Sequence, residues 1–201
     1  MSVVKSRREQ YSEATRAALL DAATTLFFER GFGGTALADV ATAAQVTRGA
    51  VYHHFTNKQD LFEAVLEELE ATTKARVSAA AADLSDPWEA GLAGLDAFFE
   101  QCCDPVYGRL VWQEGPVALG WARWKECEEQ HAYGQIEGFV RALRDAGMIE
   151  GPLDLTTRFC FHLLGAAGQV LAEADDEHKQ QTKQECAELI RRLLSGLIPR
   201  P

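Results

Sequence analysis

Apolar residues recur along most of this chain at intervals of three and four, the spacing that lines one face of an α-helix. No stretch keeps the strict alternation of a half-buried strand, so the pattern predicts an all-α fold. A first helix is expected from Ser12 to Arg30, with Leu19, Ala23, Leu26 and Phe27 inward and Gly31 as its stop. A short helix capped by Thr35 carries Leu37, Val40, Ala41 and Ala44, and a third, capped by Thr47, carries Val51 and Phe55. The fourth starts at Asn57-Lys58-Gln59-Asp60, close to a capping box, and its stripe Leu61, Phe62, Val65, Leu66, Leu69 runs on through alanines to about Ala82. Asp86-Pro87-Trp88-Glu89 combines cap, first-position proline and first-turn carboxylate, and begins a helix with Phe98, Phe99 and Cys102 inward. Segment 105–147 is aromatic-rich, with an interruption expected near Gly115-Pro116. The last two helices are expected at about 154–174 and 179–198, and the final stripe of Cys186, Leu189, Ile190, Leu193, Leu194 and Leu197 is wide.

Charge divides the chain unevenly. Its net charge is −10, which by itself argues against a nucleic-acid partner, yet residues 1–58 carry seven Lys/Arg against five Asp/Glu while the rest carries 13 against 25. A slightly basic beginning on an acidic body suits a protein that meets nucleic acid at one end. There is no apolar run long enough for a membrane span and no apolar segment behind the first charges, so a cytoplasmic protein without a membrane partner is expected. Five cysteines at 102, 103, 127, 160 and 186 make no CxxC, which suggests neither a disulfide framework nor a zinc site. Adjacent His53 and His54 diverge by about 100° on a helix and do not share a metal. No cofactor and no metal is expected.

The informative stretch is Gly31 to Leu66, GFGGTALADVATAAQVTRGAVYHHFTNKQDLFEAVL. Two short helices cross at a small residue, Ala41, and are anchored after the turn by Val46 and Val51. Those are the packing demands of a helix-turn-helix whose second helix projects into the major groove. That helix opens on Thr47, Arg48 and Gly49: a hydroxyl for the DNA backbone, a guanidinium shaped for guanine O6/N7, and a position that lets the duplex come close. Tyr52, His53 and His54 follow on the outward side, and Lys58 stands as a candidate phosphate clamp.

This stretch resembles the DNA-binding domain of the TetR family of repressors, at Gly31-Phe32, Thr35, Asp39-Val40-Ala41, Val46-Thr47, Gly49, Val51-Tyr52, Phe55, Lys58 and Leu61-Phe62. The resemblance implies an N-terminal three-helix DNA-binding domain, here 1–56, and a C-terminal helical ligand-binding and dimerisation domain, 57–201. It implies a homodimer on double-stranded operator DNA that a small-molecule effector releases. Thr35, Thr47, Arg48, Gly49, Tyr52, His53 and Lys58 are then the expected DNA contacts. Two positions depart from the family's habit. Gln45 stands where a turn glycine is usual, which would cost about 1 kcal/mol if φ is positive. Ala36 replaces a frequent hydroxyl residue, removing one phosphate contact. The run from Gly108 to Trp124 also resembles a segment in one subset of the family's ligand domains.

The second domain holds more aromatic side chains than a helical core needs. Phe98, Phe99, Cys102, Trp112, Trp121, Trp124, Phe139, Phe159 and His162 are the candidate lining of a pocket for a partly apolar or aromatic effector, although core packing explains any one of them. Arg109, Glu114 and Arg123 are candidates to orient a polar group. The last two helices, with the small run Gly165-Ala166-Ala167-Gly168, are the expected dimer interface. An enzyme is the first rival reading, but the chain shows no nucleophile–base pattern and no phosphate loop. The second rival is a helical ligand-binding adaptor that no longer binds DNA; Thr47, Arg48, Gly49, Tyr52 and Lys58 argue against it.

Overall fold

The computed structural model describes residues 6–196; Leu197 of the final stripe lies outside them. Among the described residues every regular element is helical. In chain order they are α1 (Arg7–Gly34), α2 (Leu37–Ala43), α3 (Arg48–His54), α4 (Lys58–Ala81), α5 (Pro87–Cys103), α6 (Pro105–Tyr107), a π-helical stretch π1 (Gly108–Glu114), α7 (Gly115–Leu119), α8 (Trp121–Asp145), α9 (Leu153–Glu173) and α10 (Lys179–Ser195). No helix is long and apolar enough to cross a membrane.

Local chemistry explains most of these limits. α1 starts five residues before the expected Ser12, because Ser6 and Glu9 form a reciprocal capping box: Glu9 N donates to Ser6 Oγ at 3.3 Å, and Ser6 N to Glu9 Oε2 at 2.7 Å. Gly31 breaks the same helix with φ 72°, a conformation that favours glycine. Thr47 and Asn57 cap as expected, through Ala50 N at 3.2 Å and Asp60 N at 2.9 Å. Asp86 takes both Trp88 N and Glu89 N at 2.9 Å. The cap of α2, however, is Ala36 and not Thr35. The expected interruption at Gly115-Pro116 is not there either. The chain bends at Gly120, with φ 77°, and residues 108–114 wind wider than an α-helix instead.

The chain forms two compact units, one through Leu66 and one from Glu67. The division falls ten residues after a boundary at 56/57, because the first turns of α4 belong to the first core: Leu61, Phe62 and Val65 are fully buried there. Each such side chain contributes about 1.5–3 kcal/mol, which binds these turns to α1–α3. Phe27 meets Phe62 edge-on at 5.0 Å between ring centroids, and Phe32 meets Phe62 at 5.3 Å. α2 packs on α1 and α3 through Val40, Ala41 and Val51.

In the second unit α9 packs along α8 and π1, and α10 lies on α5 and α9. Glycine allows two close approaches. A Cβ on Gly115 would stand 2.7 Å from Trp124 Cδ1, and one on Gly168 would stand 2.5 Å from Trp112 Cζ2. Trp124 Nε1 donates to Val111 O at 2.9 Å, a carbonyl inside π1.

Candidate functional site

Two places concentrate chemistry, one in each unit. In the first, the turn before α3 sets that helix's direction. Gln45 takes φ 55°, the left-handed conformation expected where glycine is usual, and Val46 N donates to Ala41 O at 3.0 Å to close the turn. α3 then buries Val51 and leaves Arg48, Gly49, Tyr52 and His53 exposed together. These are positions i, i+1, i+4 and i+5, one face of a helix. The Arg48 guanidinium lies 5.7 Å from the Tyr52 ring centroid, with Nη2 3.4 Å from the hydroxyl, so the two side chains pre-arrange each other. A Cβ on Gly49 would meet only Thr47 Oγ1, at 3.8 Å, which leaves open space outside the helix. His54 is less free: burial first, then the positive neighbours His53 and Arg16, hold its pKa below the usual histidine value.

Two expected contacts face inward. Thr35 is 2% exposed and its hydroxyl donates to Gly31 O at 2.9 Å and Leu26 O at 3.1 Å, so it closes the end of α1 and does not reach solvent. Lys58 Nζ donates to Phe32 O at 2.6 Å and Thr35 O at 3.0 Å and sits 4.3 Å from the Phe32 ring centroid. Two of its three donors are thus used on backbone carbonyls at the C-terminal end of α1.

The second place is a cavity of about 350 Å³ inside the second unit, walled by α4, α5, α8, α9 and α10 with Tyr107 and Trp112 between them. Of the aromatics expected there, Phe98, Trp112, Trp121, Trp124 and Phe139 line it, as does His162 at the surface. Trp112 and Trp124 meet edge to face at 5.8 Å, and Trp121, 63% exposed, leans on Trp124 at 4.9 Å. Phe99 and Cys102 are fully buried but lie in the packing behind this wall. Phe159 is 71% exposed on the opposite side of α9, where Phe161 takes the place expected for it. Arg109 pairs with Glu114 at 4.0 Å and Arg123 with Glu126 at 2.7 Å, and none of these four lines the cavity.

The cavity wall also holds polar groups that sequence reasoning missed. Tyr107 donates its hydroxyl to Glu70 Oε1 at 2.7 Å, both fully enclosed, and Glu128 stands 7% exposed on the α8 side. Burial pushes the Glu70 carboxyl up to about 7, opposed by the Tyr107 hydrogen bond. Burial, and then the charge of Glu70, push Glu128 well above the carboxylate range. Among the described residues, no group of His, Cys, Asp and Glu could hold a metal ion.

Known proteins resemble this chain over both units. The profile of bacterial regulatory proteins of the tetR family matches residues 19–65, and that of tetracyclin repressor-like C-terminal domains matches residues 88–197. The HTH-type transcriptional regulator TtgR of Pseudomonas putida is 46% identical over 66 residues, 33% of this chain and 31% of that protein, so the match spans about a third of either. The transposon Tn10 TetC protein of Escherichia coli is 26% identical over 143 residues, 69% of this chain and 70% of that protein. The crystal structure of a TetR-family transcriptional regulator from Pectobacterium atrosepticum superposes with a TM-score of 0.82 at 29% identity, over 98% of this chain and all of that one.

Proposed function

We propose that this chain, which belongs to the TetR family of bacterial regulatory proteins, is a transcription repressor that binds double-stranded operator DNA as a homodimer and releases it when a small molecule enters its cavity. The observation that carries the reading is the outward face of α3. Arg48, Gly49, Tyr52 and His53 stand exposed together on a helix anchored by buried Val51, and nothing in the first unit's packing needs them outside. Exposed α3 N–H groups behind Thr47 suit a phosphate, and Arg48 suits a guanine edge. Lys58 and Thr35 play no direct part in this reading; they hold the end of α1.

The dimer partner is a second copy of this chain, seated on α9 and α10. Leu155, Phe159 and Val170 on α9, and Leu189 and Leu193 on α10, are each about half exposed or more, an apolar face with no cover in the single chain. Two copies joined there present two α3 helices to half-sites one DNA turn apart, about 34–36 Å. The effector occupies the cavity of the second unit, whose wall includes Glu70, Thr73 and Val77 of α4. The same helix supplies Leu61, Phe62 and Val65 to the first unit's core. A ligand that selects one seating of α4 therefore biases the DNA-reading unit through a continuous helix. The protein so described is not catalytic, needs no cofactor and works in the cytoplasm, where its DNA is.

The test is fluorescence anisotropy with duplex DNA from the region flanking the gene. Wild type should bind with a steep salt dependence, and Arg48→Ala should weaken the best site by about 1–3 kcal/mol while relaxing preference at one position per half-site. Equal affinity of wild type and Arg48→Ala for every duplex would overturn the reading and favour a ligand-binding adaptor.

A further inference from the structure

We infer that the cavity binds an apolar or aromatic cation, a protonated or quaternary amine, with Glu128 and Glu70 facing its charge; this rests on the reading of that cavity as the effector site. Glu128 is 7% exposed, lines the cavity, and has no hydrogen bond or ion pair. A carboxyl enclosed in this way and left unpartnered is costly unless something enters to meet it. Glu70 offers a second carboxyl in the same wall, with one oxygen taken by Tyr107. The same wall carries Phe98, Trp112, Trp124 and Phe139, and an aromatic ring that offers its face attracts a cation.

The charged and titratable neighbours do not complete the pair from within. On α4 Lys74 is exposed, and on α8 Lys125 pairs with Glu129 at 3.7 Å, so both cavity-bordering lysines lie at the rim. Of the other groups near the carboxyls, Cys102 on α5 and Tyr107 are both held neutral by burial, and His131 on α8 and His162 on α9 border the opening. Burial in the empty cavity thus favours the protonated form of both acids, with Glu70 raised to about 7. When the ligand's positive charge arrives, a carboxyl gives its proton to the solvent and the ligand cation takes that proton's place as the balancing charge.

One aromatic body with three tails tests this: (1-naphthylmethyl)trimethylammonium, 1-naphthylmethanol and 1-naphthylacetate, titrated into the full-length protein by calorimetry. The ammonium compound should bind at least about tenfold more tightly than the other two. Its affinity should rise about tenfold from pH 6 to pH 8, with proton release visible as a difference between phosphate and Tris buffers. Because the ligand's charge is permanent, that pH dependence belongs to the protein. Glu128→Gln should weaken the ammonium compound about tenfold and leave the alcohol within about twofold. The Glu70→Gln, Glu128→Gln double variant keeps both histidines and should lose the pH dependence. A circular-dichroism melt confirms that each variant folds. Tighter binding of the alcohol or the acetate overturns the cation assignment and leaves the cavity as the effector site. Ammonium binding unchanged in the double variant also overturns it. If none of the three binds, both the assignment and the effector site fall.

Discussion

Replacing Lys58 by methionine should destabilise the DNA-reading unit and remove no DNA contact. Met keeps an unbranched stem against Phe32 and removes only the ammonium, which donates at 2.6 Å and 3.0 Å to the carbonyls of Phe32 and Thr35. Each hydrogen bond from a charged donor contributes about 1.5–3 kcal/mol, and the lost contact with the Phe32 ring about 0.5–1 kcal/mol more. These terms overlap, and water reaches half-buried Lys58, so we expect a loss of about 2–3 kcal/mol. For a unit of this size that is a drop in melting temperature of roughly 10–20 °C. The alternative, a phosphate clamp, makes a different prediction: unchanged stability and a salt dependence of DNA binding shallower by about one unit. Thermal melts followed at 222 nm, together with anisotropy at several salt concentrations, separate the two. A Lys58→Met protein with wild-type melting and a flattened salt slope would refute the capping argument.

Four further outcomes follow from single positions. Gln45→Gly relieves φ 55° and should raise the unfolding free energy by up to about 0.5 kcal/mol, read as a higher urea midpoint, once glycine's greater freedom in the unfolded chain is deducted; a fall would contradict it. Glu70 is raised from 4.5 to about 7, so the folded chain keeps a proton that the unfolded chain releases; the stability tied to it is whole below pH 4.5 and is lost as pH rises through 7. Melting temperature should therefore decline from pH 5 to pH 8 more steeply in wild type than in Glu70→Gln, and parallel curves would count against it. Gly168→Ala drives a methyl to 2.5 Å from Trp112 and should cost about 1–3 kcal/mol, with a shift in tryptophan emission; an unperturbed spectrum and melt would show that the ring yields freely. Leu193→Glu puts a charge on the exposed apolar face of α10 and should give monomers by light scattering with operator binding lost, whereas a stable, DNA-competent dimer would move the interface elsewhere.

The helix-turn-helix was legible because its signals are local. A small residue at the crossing, a cap at Thr47, a buried Val51 and a polar outer face are all properties of neighbours in sequence. Gln45 could be singled out for the same reason, and it does take the left-handed conformation. The family resemblance implies DNA contacts at Thr35 and Lys58 from their register in the motif, and that register carries no sign of burial. What turns them inward are the carbonyls of Leu26, Gly31, Phe32 and Thr35 at the end of α1, which accept the Thr35 hydroxyl and the Lys58 ammonium and which no sequence pattern shows. In α9 apolar residues cover most of the circumference, so sequence could not say that Phe161 faces the cavity and Phe159 the outside. The winding of π1 leaves no period of its own over seven residues. Glu70 and Glu128 did leave a trace. Glu70 occupies the stripe of Leu66, Thr73 and Val77, and Glu128 that of Trp124, Gln135 and Phe139. Acids in an apolar stripe were the available sign.

Those two acids also bear on how the protein selects what enters. A cavity lined by aromatics alone would take any apolar molecule of suitable size, and a single methylene more or less would change affinity by only about 1–3 kcal/mol. An enclosed carboxyl is far more discriminating, because a partner that fails to meet it leaves a charge or a polar group buried without compensation. The wider field acts in the same direction. Residues 67–201 carry a net charge of −10, which draws cations to this unit from solution, although salt screens that pull beyond about 8–10 Å. Selectivity then comes from inside the cavity, where screening is weakest. It follows that the folded second unit is held below its greatest stability while the cavity is empty. A cation that meets the acids should stabilise it by RT ln(1 + [L]/Kd), about 2.7 kcal/mol at a hundredfold excess over Kd. The free energy that identifies the ligand is then the same free energy available to move α4, and a molecule that binds without meeting Glu128 should stabilise the protein less and release DNA less.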